Sequence, residues 1–285
     1  MKKTFPIRTL LLRAAMSLCA APLLVHAQAY PVKPMRMVLP LPPGGAIDIV
    51  GRTVGTPVGE KLGQPMIFDN RPGANTIVAT DNCVKSPADG YSLCFITSNL
   101  SLNHSLYTKL PYDYLRDLDP VTNMVLPWEG LFLSSSVPVN NVKDLVAYSK
   151  ANPGKLNFGS LGTGGSPHVV PEWVVKNTGA SLTHIPFKGL PDLMRAFTAN
   201  EIHMFFLSLG NPGYIESIKA GRMKVLFFGG DKRNPILPDV PSMAESGVPD
   251  HKFKSWWGLA VPHGTPREIV DRLHAVVVET LRSPA

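Results

Sequence analysis

Short apolar runs alternate with amphipathic ones along most of this chain, and that alternation restricts the fold more than any other feature. Met35 to Leu39, Pro65 to Asp69, Tyr91 to Thr97, Leu156 to Ser160, Leu182 to Pro186, Met204 to Leu207 and Met223 to Phe228 read as strands. Among and after them, Asp48 to Leu62, Thr76 to Lys85, Val142 to Ala151, Pro167 to Thr178, Pro191 to Ala199 and Pro266 to Arg282 read as helices. Such alternation predicts parallel β-α units and an α/β fold. Dense Pro and Gly turns such as NRPGAN, SPADGY and VPHGTP punctuate the elements. The last helix is expected to start with Thr265 as N-cap and Pro266 at the first helical position.

Residues 1–29 carry the pattern of a secretory signal. Lys2, Lys3, Arg8 and Arg13 precede an apolar stretch, Ala14 to Val25, and Ala27-Gln28-Ala29 has the small-x-small form of a cleavage site. The expectation is a periplasmic protein whose mature chain begins near Tyr30. Taking those four cations from the 28 basic residues leaves 24 against 21 acidic ones, a formal charge of +3. That is too mild to argue for nucleic acid. About 255 mature residues exceed what one core usually supports, so two lobes are expected. No later run reaches the ~18 apolar residues of a membrane span. Cys83 and Cys94 remain, and a disulfide or two buried thiols both stay open.

Three β-to-α junctions are candidates for chemistry, because ligands of open α/β sheets sit beyond the carboxyl ends of strands and helix N-termini attract anions. The first, PLPPGGAID, stiffens the chain with Pro42 and Pro43, bares main chain at Gly44 and Gly45, and offers Asp48 as a helix cap. The second, DNRPGANTIVATD, contains Arg71, either an anion partner or a brace between loops. The third, FGSLGTGGSPHVV, presents Ser160, Gly162, Thr163, Gly164, Gly165 and Ser166 just before a helix whose first turn holds Pro167 and His168. It is a cradle for a carboxylate or phosphate. A P-loop, a nucleophile elbow and metal-ligand spacings are missing, so no cofactor or metal is expected. A serine nucleophile at Ser160 or Ser166 with His168 as base is the enzymatic rival, but residues two and eight apart across a turn supply no triad geometry. Trp256 and Trp257 are read as a ligand-stacking pair or an anchor between lobes.

The ordered segments YPVKPMRMVLPLPPGGAIDIV, LGQPMIFDNRPGA, SPADGYSLCFITS, NPGKLNFGSLGTGGSPHVV, HIPFKG and SWWGLAVPHGTPREIVDRL, with two further motifs between them, resemble the tripartite tricarboxylate transporter substrate-binding family, or Bug family. The likeness runs from Tyr30 nearly to the end. It implies a periplasmic solute-binding protein of the type II, Venus-flytrap kind, a monomer without catalysis or cofactor. It further implies that the protein captures a small organic acid and passes it to membrane permease subunits or, alternatively, to a sensor kinase. The lobes are expected at 30–133 with 229–285, and at 134–228. By the same resemblance the ligand's carboxylate is gripped by Pro42, Pro43, Gly44, Gly45 and Ala46, by Gly73, Ala74, Asn75 and Thr76, and by Ser160, Gly162, Thr163, Gly164, Gly165, Ser166 and His168.

Three departures qualify that expectation. Where the family commonly reads GAGGNIG, this chain reads GANTIVA, placing Asn75 and Thr76 at two glycine positions. Where the family often has an acid on the far cleft wall, this chain has Leu207, which implies a more apolar ligand or none. The chain also ends at Ala285, roughly one helix earlier than typical members, which together with the altered second loop raises a decayed paralogue as the deflationary reading.

Overall fold

The structure is a computed structural model describing residues 30–249 and 252–283. The expected signal segment, residues 1–29, lies outside the described residues.

The chain opens with β1 (Met35–Leu39), α1 (Ala46–Leu62), β2 (Met66–Asn70), a 3-10 turn (Ala74–Thr76), α2 (Ile77–Val84) and β3 (Ser92–Thr97). After α3 (Asn99–Leu106), α4 (Tyr114–Asp117) and β4 (Leu118–Val125) it crosses to a second sheet. There it builds β5 (Glu129–Ser134), α5 (Val142–Ala151), β6 (Asn157–Ser160), α6 (Ser166–Thr178), β7 (Thr183–Pro186), α7 (Leu190–Thr198), β8 (Met204–Ser208), α8 (Tyr214–Lys219) and β9 (Met223–Phe228). It returns through β10 (Trp257–Pro262) and ends in α9 (Arg267–Arg282). The two five-stranded sheets run in the orders β2-β1-β3-β10-β4 and β7-β6-β8-β5-β9.

Each sheet is covered on both faces, which is why its strands read as continuous apolar runs rather than alternating ones. In the first lobe Met35, Met37 and Leu39 pack against Val54 and Val58 of α1 and against Leu273 and Val277 of α9, while Val38, Cys94 and Ile96 meet Ala79 and Cys83 of α2 and Leu100 of α3. Cys83 and Cys94 are joined as a disulfide, which decides between the two cysteine readings. In the second lobe one face holds Leu131, Phe158, Val174 and Met204, and the other Phe132, Leu193, Phe205 and Tyr214.

The sheets move both expected crossings. β5 pairs with β8 and β9, so the chain has entered the second lobe by Glu129, earlier than residue 134. The segment after β9 stays on the second lobe beyond residue 229: Met243 and Val248 join its core, and the Trp173 indole donates to the Pro249 carbonyl at 2.7 Å. No local pattern marks these points, because a strand that switches sheets carries the same apolar pattern on either side of the switch. The last helix also starts differently. Thr265 turns its hydroxyl back to the Pro262 carbonyl at 2.7 Å, and Pro266, with φ −50° and ψ 132°, takes the N-cap position.

Candidate functional site

A cavity of about 690 Å³ lies between the two sheets, walled by the loops that follow β1, β2 and β3 on one side and β6, β7 and β8 on the other. Its walls are mainly apolar, with a few convergent polar groups, the usual constitution of a small-molecule site. Of the residues expected to grip a ligand, Pro42, Gly45, Ala46, Gly73, Ala74, Asn75, Thr76, Gly162, Thr163, Gly165 and Ser166 line it. Pro43, Gly44, Ser160, Gly164 and His168 do not, and the last four take partners within the protein.

The first jaw is the N-terminus of α1, capped by Gly45 without a side-chain hydrogen bond. Asp48 sits in the first turn and accepts from the Gly44 amide at 3.0 Å, so that amide is already satisfied. Asp48 also accepts from Asn70 at 3.0 Å and from Arg52. Burial works to raise its pKa, but the Arg52, Gly44 and Asn70 bonds outweigh burial and hold it below the ordinary range. Ala46 donates its amide across the cleft to Asn211 Oδ1 at 2.9 Å. Arg71 pairs with Asp69, two residues back, at 2.9 Å, and does not line the cavity.

The second loop keeps the backbone that glycines would have allowed. Ala74, Asn75 and Thr76 have φ of 44°, 50° and 73°, three consecutive left-handed residues. For L-residues that conformation costs roughly 1–2 kcal/mol each, so strain is stored beside the cavity. Asn75 is committed to structure: it donates to Asn103 Oδ1 at 2.6 Å, accepts from Asn99 at 2.9 Å, and its carbonyl accepts from Asn103 at 2.9 Å. This asparagine lattice compensates the loss of glycine there, and it makes the Asn75 side chain part of the wall's frame.

In the third loop Ser160 is fully buried below the cavity floor. Its hydroxyl donates to the Gly162 carbonyl at 2.8 Å and lies 2.6 Å from His184 Nε2. His168 accepts from the Gly164 amide at 3.2 Å, and its ring lies 4.1 Å from that of His184. Burial first, and the neighbouring His168 second, press the His184 pKa down to about 4; burial also lowers that of His168. These neutral imidazoles, stacked on Phe158, fix the loop from beneath. Ser166 donates instead to Glu129 Oε1 at 3.1 Å. Ser160, Ser166 and His168 each take other partners, so the nucleophile and base of the enzymatic rival are not paired.

Glu129, Ser208, Asn211, Lys188 and Tyr107 line the cavity without having been singled out from sequence. Asn211 follows a strand in a Gly-Pro turn, the same β-to-α setting as the three chosen loops, and could have been found by it. Glu129 was an acid inside an apolar strand-like run, a signal in itself. Leu207 does line the wall, but Glu129 is paired opposite its neighbour Ser208, so the wall keeps a carboxyl on the adjacent strand. Trp257 lines the cavity while its ring packs near Phe95 of the first-lobe core, 6.4 Å away.

Two α/β lobes, two crossing segments and a cleft lined by helix N-termini are the architecture of two-lobed binding proteins. Residues 50–285 match the tripartite tricarboxylate transporter family receptor, and the chain belongs to that family. It is 33% identical to BugT of Bordetella pertussis over 93% of this chain and 81% of that protein. A solved structure described as a periplasmic transporter superposes with a TM-score of 0.84 at 32% identity, covering 90% of this chain and 85% of the other. The R. palustris protein solved with adipate gives 0.83 at 31%, covering 89% and 85%. MatC from Rhodopseudomonas palustris, solved with malate, gives 0.81 at 25%, covering 89% and 86%.

Proposed function

We propose that this protein is an extracytoplasmic receptor that captures a small organic acid and delivers it to the membrane subunits of a tripartite tricarboxylate-type transporter. The observation that carries the reading is the opposition of two helix N-termini, α1 at Gly45–Ala46 and α6 at Gly165–Ser166, on the two walls of one cavity. Both caps are glycines without a side-chain hydrogen bond, and although Asn211 engages the Ala46 amide, both helix dipoles point their positive ends into the space between them. Neutral donors of this kind stabilise an anion and still release it, because no buried ion pair has to be broken. Lys188 adds a positive charge at the rim. The adipate and malate bound by two relatives are acids of the size and charge such a cavity takes.

The ligand-gripping set is Pro42, Gly45, Gly73, Ala74, Thr76, Gly162, Thr163, Gly165 and Ser166, with the Ala46 side chain on the same wall. Secretion by a signal in residues 1–29 belongs to the same proposal. Titration calorimetry of the folded protein against mono-, di- and tricarboxylates tests it: micromolar or tighter binding of at least one acid is expected. Absence of binding across the panel would remove the reading. Recovery of a sensor kinase rather than a permease in a pull-down from membranes would replace the transport partner.

A further inference from the structure

The carboxyl group of Glu129 is an acid inside a cavity read as a site for acids. It stands on the first residue of β5, where the chain has just crossed between lobes, and its residue lines the cavity. Among the described residues its hydrogen-bond partners are two hydroxyls, Ser166 at the N-terminus of α6 and Ser255 just before β10. The two crossings and one anion cradle therefore converge on this carboxyl. A carboxylate there occupies the α6 N-terminus that a bound acid would use. Two carboxylates in one desolvated space do not both ionise, and the cheaper state has one of them protonated.

The charges that face Glu129 do not relieve this. On α6, His168 faces Glu172 at 3.8 Å; on β9, Lys224 is held by the Val137 and Val139 carbonyls at 3.0 and 2.6 Å. β8 and β10 carry no titratable side chain, Lys252 and Lys254 precede β10, and Lys188 lies on the β7–α7 loop. Burial raises the Glu129 pKa to about 7, opposed by the Ser255 and Ser166 hydroxyls and by none of these charges.

We propose that Glu129 takes one proton from solvent as the cleft captures its acid, and donates the resulting O–H to the bound carboxylate. The inference rests on the carboxylate reading above. It makes Glu129 a ligand-binding residue and the capture proton-linked: free receptor with ionised Glu129, plus acid, plus one proton, yields a complex with neutral Glu129. Affinity then falls as pH rises past the pKa of the free receptor, about tenfold for each pH unit.

The test is titration calorimetry of the wild-type protein with adipate, with malate and with glutamate, which carries an ammonium group, in pairs of buffers of different ionisation enthalpy, from pH 6 to 8.5. Uptake approaching one proton per acid at pH 8.5 and shrinking toward pH 6 is expected, with the matching loss of affinity. Glu129→Gln should bind the acid without proton uptake and with a flat pH profile. Binding without proton uptake, or uptake that persists in Glu129→Gln, overturns the inference and leaves the carboxylate reading standing. Binding restricted to acids that carry an ammonium group, and lost in Glu129→Gln, overturns it in favour of an ionised Glu129. If no carboxylate binds to either protein, both readings fall.

Discussion

The Ala46 amide donates to Asn211 Oδ1 at 2.9 Å, and this bond ties the first turn of α1 in one lobe to the loop after β8 in the other. The two residues are 165 positions apart and both are buried. The bond holds the lobes in the arrangement that encloses the cavity and orients the α1 N-terminus.

Removing the acceptor should favour the open form. Asn211→Ala leaves a buried amide unpartnered, a loss of about 1–2 kcal/mol to the closed state, or about 5- to 30-fold in apparent ligand affinity. Calorimetry reads the affinity, and small-angle scattering of the ligand-free protein should show a larger radius of gyration. Unchanged affinity would mean that the clasp contributes nothing to closure.

The third loop meets the second at van der Waals distance, and Gly165 is where they touch. A Cβ built there would lie 2.7 Å from Asn75 Oδ1 and 3.2 Å from Asn99 Nδ2. Asn75 cannot yield, since Asn99 and Asn103 hold it. Gly165→Ala should therefore push the lobes apart and weaken ligand binding more than tenfold, with thermal stability changed by less than about 1 kcal/mol because each lobe keeps its own core. A variant that binds normally would contradict the contact.

Strain in the second loop is testable at Ala74, whose φ is 44° and whose side chain is exposed. Ala74→Gly removes a left-handed penalty of roughly 1–2 kcal/mol and adds about 0.5–1 kcal/mol of unfolded-state entropy. Denaturant unfolding should show a net gain of about 0.5–1 kcal/mol. A loss of that size would place the loop outside the left-handed region in solution.

Stability of the unliganded protein should depend on pH through opposed groups. His184, pressed to about 4 in the fold, binds its proton in the unfolded chain below pH 6.5, so stability rises with pH between about 4 and 6.5; His168 and His203, both lowered by burial, act in the same direction. Glu129, raised to about 7 from 4.5, keeps its proton in the fold where the unfolded chain has lost it, so its contribution falls as pH rises between those values. Glu129→Gln should thus steepen the rise in melting temperature between pH 4.5 and 6.5. A parallel or shallower curve for the variant would disprove the assignment.

Most elements were legible because their signals are local. β1, α5 and β9 occupy the ranges that their apolar patterns predict, and the other expected strands and helices differ by one or two residues at their ends. The glycine-rich stretch before a helix was legible too, and Gly165 and Ser166 lie on the cavity wall. The crossings at Val125–Glu129 and Phe228–Trp257 were not, because no residue type marks a change of sheet. The partners that Gly44, Ser160 and His168 take within the fold, Asp48, His184 and Gly164, are not legible for a related reason: they are fixed by how neighbouring elements pack.

What the sequence determined by itself is therefore the set of β-α units, the bare-amide turns between them and, through the ordered motifs, the family. Those properties depend on periodicity and on the conformational range of Pro and Gly, which act over a few residues. Tertiary structure alone decided which amides remain available, which lobe owns each crossing strand, that Cys83 meets Cys94, and that Glu129 lies in the cleft with Ser166 and Ser255. Those outcomes are set by contacts between residues far apart in the chain, and by the desolvation that only the closed assembly of two sheets produces.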